Sequence, residues 1–383
     1  MTTQLKKSDK DIPQLAVVES SNSKKHKEKF EGFDFLRAIF SIAILVLHAE
    51  LFAPLKFVGL DNVANILNAN VVYLAVPVFL QLSLFLFYIK SKQAGFQYFL
   101  QKRLPKLVSL YLFWVIVKTG FDLLFGFNNK LAAIQFATSS VRGFIEFIVS
   151  GGFSPLYFFF SLIFLKTISE AFIVLFRKLR LTAVELKINY VLLFVSCIVI
   201  FACSILHLVA SNEVRGVEFI TNLTRWNYNP LNFLPYIFAT AILAQELNAG
   251  QLKELTPALK RKLYGLGILF LLFTVLEWFL FEDLLKYSRL SLVFGSWLLL
   301  YLGILSTRKV PAVVKFISDC SLGIYTLHLF FTHGFFTRSA DYLSSLPPVV
   351  QTLGIFVQFL VALVGSIALT LVFRRTKFLK QFV

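Results

Sequence analysis

The chain has 383 residues, 57% of them hydrophobic and 45 of them Phe, with charge on only 15% of positions and a mean hydropathy of +0.74. A water-soluble fold of this length has no core large enough to hide so much apolar surface. The net charge of +17 does not point to nucleic acid either, because Lys and Arg gather in short clusters between apolar runs rather than on one continuous polar face.

Lipid is therefore the expected solvent, and the fold class is all-α, a polytopic membrane helical bundle. Residues 1–30 are polar, contain Lys6, Lys7, Lys10, Lys24, Lys25, Lys27 and Lys29, and are expected to form a disordered basic cytoplasmic tail. Apolar runs of about 20 residues, the length that crosses ~30 Å of hydrocarbon, predict ten spans. They lie at 33–54, 71–90, 107–125, 154–176, 188–209, 230–247, 262–281, 290–306, 316–336 and 349–373. The first run lacks a small-x-small cleavage site and reads as a retained span rather than a signal peptide. Whether the stretch 142–150 is a separate interfacial or re-entrant helix is left open by the sequence. Residues 376–383 form a short basic tail, which leaves 31–375 as one membrane domain.

The loops facing away from the N-terminal tail carry only Lys56, Lys130, Arg142, Arg215, Arg225, Lys286, Arg289 and Arg338, so charge asymmetry places both termini in the cytoplasm. Cys197, Cys203 and Cys320 fall inside apolar runs without metal-ligand spacing and read as small hydrophobes, so no metal site is expected. No inverted repeat of the kind common in secondary transporters is visible. No loop is long enough to hold a soluble catalytic module, so any chemistry sits among polar groups inside the bundle.

An ionisable group within a span is costly and faces a cavity or a partner, which makes each one a candidate. Arg37 and His48 are eleven residues apart, about 1100° at ~100° per residue, so they share a helix face and lie roughly 16 Å apart along it. Asp34 stands three residues before Arg37, where it can orient the guanidinium. Lys102, Arg103 and Lys106, at the mouth of the third span, suit the phosphates of an anionic cofactor, although the same pattern anchors a helix to anionic lipid. In the ninth span Tyr325 and His328 are i, i+3 neighbours able to enter one cavity, and the helix continues to His333. Lys118 with Asp122, and Lys166 with Glu170, are i, i+4 pairs expected to neutralise one another. Glu277 and His207 have no assignment from sequence.

Taken in order, these blocks resemble the acyltransferase 3 family of integral membrane O-acyltransferases, over nearly the whole span region. Arg37-x10-His48 is similar to the family's Arg-x10-His motif. Arg103-Leu-Pro-Lys106 followed by Ser109 and Tyr111 resembles its Arg-x-x-Arg element, with Lys106 in place of the second Arg and without the bidentate fork. Val76-Pro-Val-Phe-Leu-Gln-Leu-Ser83, Pro155-Leu-Tyr-Phe-Phe, Leu234-Pro-Tyr-Ile-Phe-Ala and Ser321-Leu-Gly-Ile-Tyr-Thr-Leu-His328 resemble further family blocks.

The resemblance implies an inner (plasma) membrane, multi-pass enzyme. It would move an acyl group, most often acetyl, from cytoplasmic acyl-CoA to a hydroxyl of an extracytoplasmic glycan or lipid-linked sugar. Arg37, Arg103 and Lys106 would hold the donor and His48, with Arg37, would carry the catalysis. Tyr325, His328, Asp34 and Ser83 are candidates for acceptor or oxyanion contacts. Imidazole suits a general base, and equally a transient acyl carrier. The alternatives are a polytopic transporter or flippase for a glycan-related or lipid substrate, whose path the same polar groups would line, and an assembly partner in a glycan-synthesis complex.

Overall fold

Long runs of Leu, Phe, Ile and Val have no water to satisfy their backbone in lipid, so each must close its hydrogen bonds within its own helix. The computed structural model describes residues 30–127, 129–209 and 228–383, and among them every regular element is helical. The polar tail before residue 30 and the arginines 215 and 225 lie outside the described residues, as does the side chain of His207.

Ten principal helices follow one another: α1 (Glu31–His48), α2 (Ala75–Ala94), α3 (Leu104–Phe125), α4 (Tyr157–Lys178), α5 (Glu185–Val209), α6 (Leu234–Asn248), α7 (Pro257–Leu280), α8 (Leu290–Leu305), α9 (Ala312–Phe330) and α10 (Pro348–Arg375). Each predicted span is occupied by one of them, but by length and apolarity seven helices among the described residues qualify to cross a membrane. The three that fall short have visible reasons. The 18 residues of α1 include Glu31, Asp34 and Arg37, while α6 with 15 residues and α8 with 16 are shorter than a ~30 Å layer demands. Because α6 is buried along almost its whole length, including Tyr236, Ile242 and Leu243, its length answers to neighbouring helices rather than to lipid.

α2 lies at the centre, packed against α1, α4, α6 and α8, whereas α1 packs most extensively along α9. Two contacts depend on glycine. A Cβ on Gly32 would meet the Gly303 carbonyl oxygen at 2.1 Å, which lets α1 and α8 touch backbone to backbone, and one on Gly323 would meet Thr370 Oγ1 at 1.9 Å between α9 and α10. Outward, α7 and α10 expose Ile268, Leu271, Phe279, Val357 and Val364, the apolar surface that lipid covers.

Several sequence expectations need correction. The first helix ends at His48, not at residue 54, because Glu50 turns into left-handed backbone (φ 52°) and Pro54–Phe57 forms a separate turn. The 142–150 stretch, by contrast, forms the separate helix that the sequence leaves open, Val141–Val149. Lys130 and Arg289, expected in loops, are buried and paired. Lys130 lies 3.5 Å from Asp122 Oδ2, and Arg289 Nε donates to Glu277 Oε2 at 2.8 Å. The short basic tail 376–383 needs no correction; it packs against the bundle, where Phe382 stacks on Phe113 and its carbonyl accepts from Trp114 Nε1 at 3.0 Å.

Candidate active site

Three cavities lie in series from the Arg37 end of α1 to its His48 end. The first, about 360 Å³, is lined by Arg37, Ser83, Arg103, Lys166, Ser321 and Tyr325 among apolar side chains, with no carboxylate in its wall among the described residues. The second, about 140 Å³, is lined by Ile44, Leu47, Val76, Tyr157, Tyr287, Tyr325 and His48. The third, about 440 Å³, takes its polar character from His48, Glu50, Lys56, Thr332, Thr337 and Gln351. Tyr325 belongs to the first two and His48 to the last two, so one side chain forms each partition. The face shared by Arg37 and His48, expected from helical periodicity, is the face along which these cavities run.

At the Arg37 end the charges are arranged for an anion. Arg37 Nη1 lies 3.6 Å from Asp34 Oδ1, as the i, i+3 spacing predicts. The same carboxylate oxygen accepts from Ser318 Oγ at 2.8 Å and Lys315 Nζ at 3.2 Å, so Asp34 is a shared anchor outside the cavity wall rather than a substrate contact. Arg103 stands over the Tyr98 ring (5.4 Å), and its buried Nε has no hydrogen-bond partner among the described residues.

Lys106 does not reach the cavity. It is solvent-exposed, on a turn whose carbonyl accepts from Ser109 Oγ at 3.0 Å. Its place is taken by Lys166 of α4. The expected Lys166–Glu170 pair does not form: Glu170 accepts from Ser91, while Lys166 Nζ faces the Phe87 ring at 5.6 Å and makes no ion pair among the described residues. Helical spacing put Lys166 and Glu170 on neighbouring positions, but α2 supplies Glu170 with a nearer hydroxyl and leaves Lys166 to the cavity.

Tyr325 and His328 do not enter one cavity either. The Tyr325 hydroxyl donates to the Pro155 carbonyl, and the ring packs edgewise on Phe159. It is thus a wall between cavities rather than an unengaged oxyanion donor, and Tyr157 and Tyr287, which sequence reasoning missed, line the small chamber instead. His328 is fully buried beside His48, ring centroids 5.2 Å apart, with Nδ1 donating to the Ile324 carbonyl at 2.9 Å and Nε2 without a partner among the described residues.

The direct partner of His48 is His333, whose Nε2 lies 2.8 Å from His48 Nδ1. In an ideal α-helix His333 would sit about 140° around α9 from His328. A π-helical turn at Phe331–Phe335, with His333 at φ −101° and ψ 18°, widens the helix and brings both imidazoles onto the same side. The turn is held from α3, since Lys118 Nζ reaches the His333 carbonyl at 3.4 Å and pairs with Asp122, as its i, i+4 spacing predicts. Lys130 Nζ, on the other side of Asp122, donates to the Gly152 carbonyl at 2.6 Å. Among the described residues no group of three His, Cys, Asp or Glu has the arrangement of a metal centre.

A cation-lined cavity, a small apolar chamber and a polar cavity, separated by a Tyr and a His, make an arrangement suited to handing a small group from an anionic carrier to a polar acceptor. A family model described as an acyltransferase domain, of the acyltransferase 3 type, matches residues 30–375. No curated protein and no solved structure matches the chain.

Proposed function

Since the chain belongs to the acyltransferase 3 family of multi-pass membrane acyltransferases, we propose that it transfers an acyl group, acetyl in the first instance, from cytoplasmic acyl-CoA to a hydroxyl of an extracytoplasmic glycan or lipid-linked sugar at the inner (plasma) membrane. The observation that carries this reading is the series of cavities with His48 between the last two. The Arg37 end is the cytoplasmic end, in keeping with the clusters of Lys and Arg in the loops of that side.

In this reading Arg37, Arg103 and Lys166 attract the phosphates of the donor, the thioester arm passes Tyr325, and the acyl carbon comes to the small chamber beside His48. The acceptor hydroxyl approaches from the polar cavity. With Nδ1 engaged by His333, Nε2 of His48 takes the hydroxyl proton as the oxygen attacks the thioester carbonyl. The tetrahedral intermediate then expels the coenzyme A thiolate, which recovers that proton as the thiol. A ring that lines both cavities also supports a second version, in which Nε2 carries the acyl group between them. Among the described residues the small chamber has no cationic side chain, which favours a short neutral acyl group over one ending in a carboxylate.

The test is transfer of isotopic label from acetyl-CoA to glycan or lipid-linked sugar in membranes bearing the protein, followed by mass spectrometry. Label in the acceptor fraction is expected; movement of unmodified substrate without label would favour the transporter. Lys166→Met is expected to raise KM for acetyl-CoA about tenfold while changing kcat by less than about threefold, because a contact to the non-reacting phosphates binds ground and transition states alike. Lys106→Met, outside the cavity, is expected to shift KM by less than about twofold. Equal effects at the two positions would remove Lys166 from the donor site.

A further inference from the structure

We propose that His333 is the positioning residue of the reaction: it accepts the Nδ1 proton of His48 and thereby keeps His48 Nε2 unprotonated toward the cavities. The inference rests on the acyl-transfer reading and adds to it a residue from none of the blocks that resemble the family. A neutral imidazole has one N–H and one bare nitrogen. The contact of 2.8 Å between His48 Nδ1 and His333 Nε2 admits one proton between the two atoms, so one ring donates and the other accepts.

If His333 donated, the proton of His48 would sit on Nε2 and the ring could neither take a hydroxyl proton nor attack a carbonyl there. If His333 accepts, both steps are open. This is the function a carboxylate serves beside a catalytic imidazole in hydrolytic triads, namely fixing tautomer and ring orientation, then stabilising the imidazolium once it forms.

The surroundings hold His333 in that task. Its π-helical turn departs from α-helical backbone at this residue, and its carbonyl is met by Lys118, which is paired with Asp122 and stands near Lys130. His328, on the other flank of His48, cannot substitute. Its Nδ1 is committed to the Ile324 carbonyl, and its ring lies beside the His48 ring at 30° rather than bonding to it. The titratable groups around the pair include His328, Lys118, Asp122 and Lys130, together with Glu50 and Lys56 in the wall of the polar cavity. Asp122 is tied to two lysines, and Glu50, which lines the polar cavity with His48, makes no hydrogen bond to that ring among the described residues, so the imidazole of His333 is the acceptor in contact.

The experiment compares His333→Gln with His333→Met in the full-length protein, measuring label transfer from acetyl-CoA as initial rate against donor concentration, with thermal unfolding of each purified variant alongside. Gln places a carbonyl oxygen close to the position of Nε2, and Met fills similar volume without a good acceptor. The expected result for Met is a kcat about 10- to 100-fold lower with KM within about twofold, and for Gln a kcat within about fivefold of wild type. If Gln and Met behave alike while the wild type transfers label, His333 only packs against His48 and its assignment is overturned alone. Absence of label with the folded wild type would overturn the acyl-transfer reading, and this assignment with it.

Discussion

Replacing His48 with Gln is expected to lower kcat for acyl transfer by about 10³-fold, with KM for acetyl-CoA changed by less than about threefold, because general-base catalysis by a positioned imidazole contributes 10²–10⁴. Gln is the informative choice. It keeps a polar side chain at the end of α1, next to His333, yet has no nitrogen able to accept a proton at neutral pH. The donor cavity lies beyond Tyr325 and does not include His48, so donor binding should survive. The measurement is steady-state label transfer in membranes matched for protein amount. A variant with wild-type kcat would rule out both the base and the acyl-carrier roles. A variant with a raised KM and unchanged kcat would move His48 to the binding machinery.

The second large effect concerns stability. Glu277→Leu is expected to cost about 3–5 kcal/mol, the range for stranding one member of a buried ion pair. Arg289 is fully buried, with its Nε on Glu277, Nη1 on the Ala69 and Leu284 carbonyls at 2.9 and 3.0 Å, and Nη2 on Asn70 Oδ1 at 2.5 Å. Glu277 in turn accepts from the backbone and hydroxyl of Ser291. Without the carboxylate, a guanidinium remains inside the bundle with neutral partners only. The double variant Glu277→Leu with Arg289→Met removes both charges and should recover most of the loss. Thermal unfolding in detergent of the two singles and the double decides the matter. If Glu277→Leu is no less stable than the double variant, the pair does not hold α7 to the start of α8.

Intramembrane charges that look alike in a sequence are of two kinds here. Glu277, Arg289, Glu246 and Lys262 are partnered: Lys262 Nζ donates to Glu246 at 2.6 Å and stands among Tyr190, Trp297 and Tyr301. Lys166 and Arg103 instead face a cavity. An ionisable residue in a span earns a functional reading only once its partner, or the absence of one, is known.

The amino-acid sequence by itself determined the all-helical membrane class, the approximate place of every principal helix, the alignment of Arg37 with His48 and the pairing of Asp34 with Arg37. All of these follow from local rules. Apolar run length reports a span, and a rotation of ~100° per residue reports which side chains share a face. Tertiary structure alone decided what each face meets. Periodicity cannot say that α2 draws Glu170 away from Lys166, that Lys106 lies outside the cavity, or that Tyr325 is a partition. Those outcomes depend on how separate helices rotate and approach one another. His333 was hidden for a further reason: its meeting with His48 needs a π-helical turn that breaks the 3.6-residue period from which a sequence is read, and only the packing of α9 against α1 and α3 shows it.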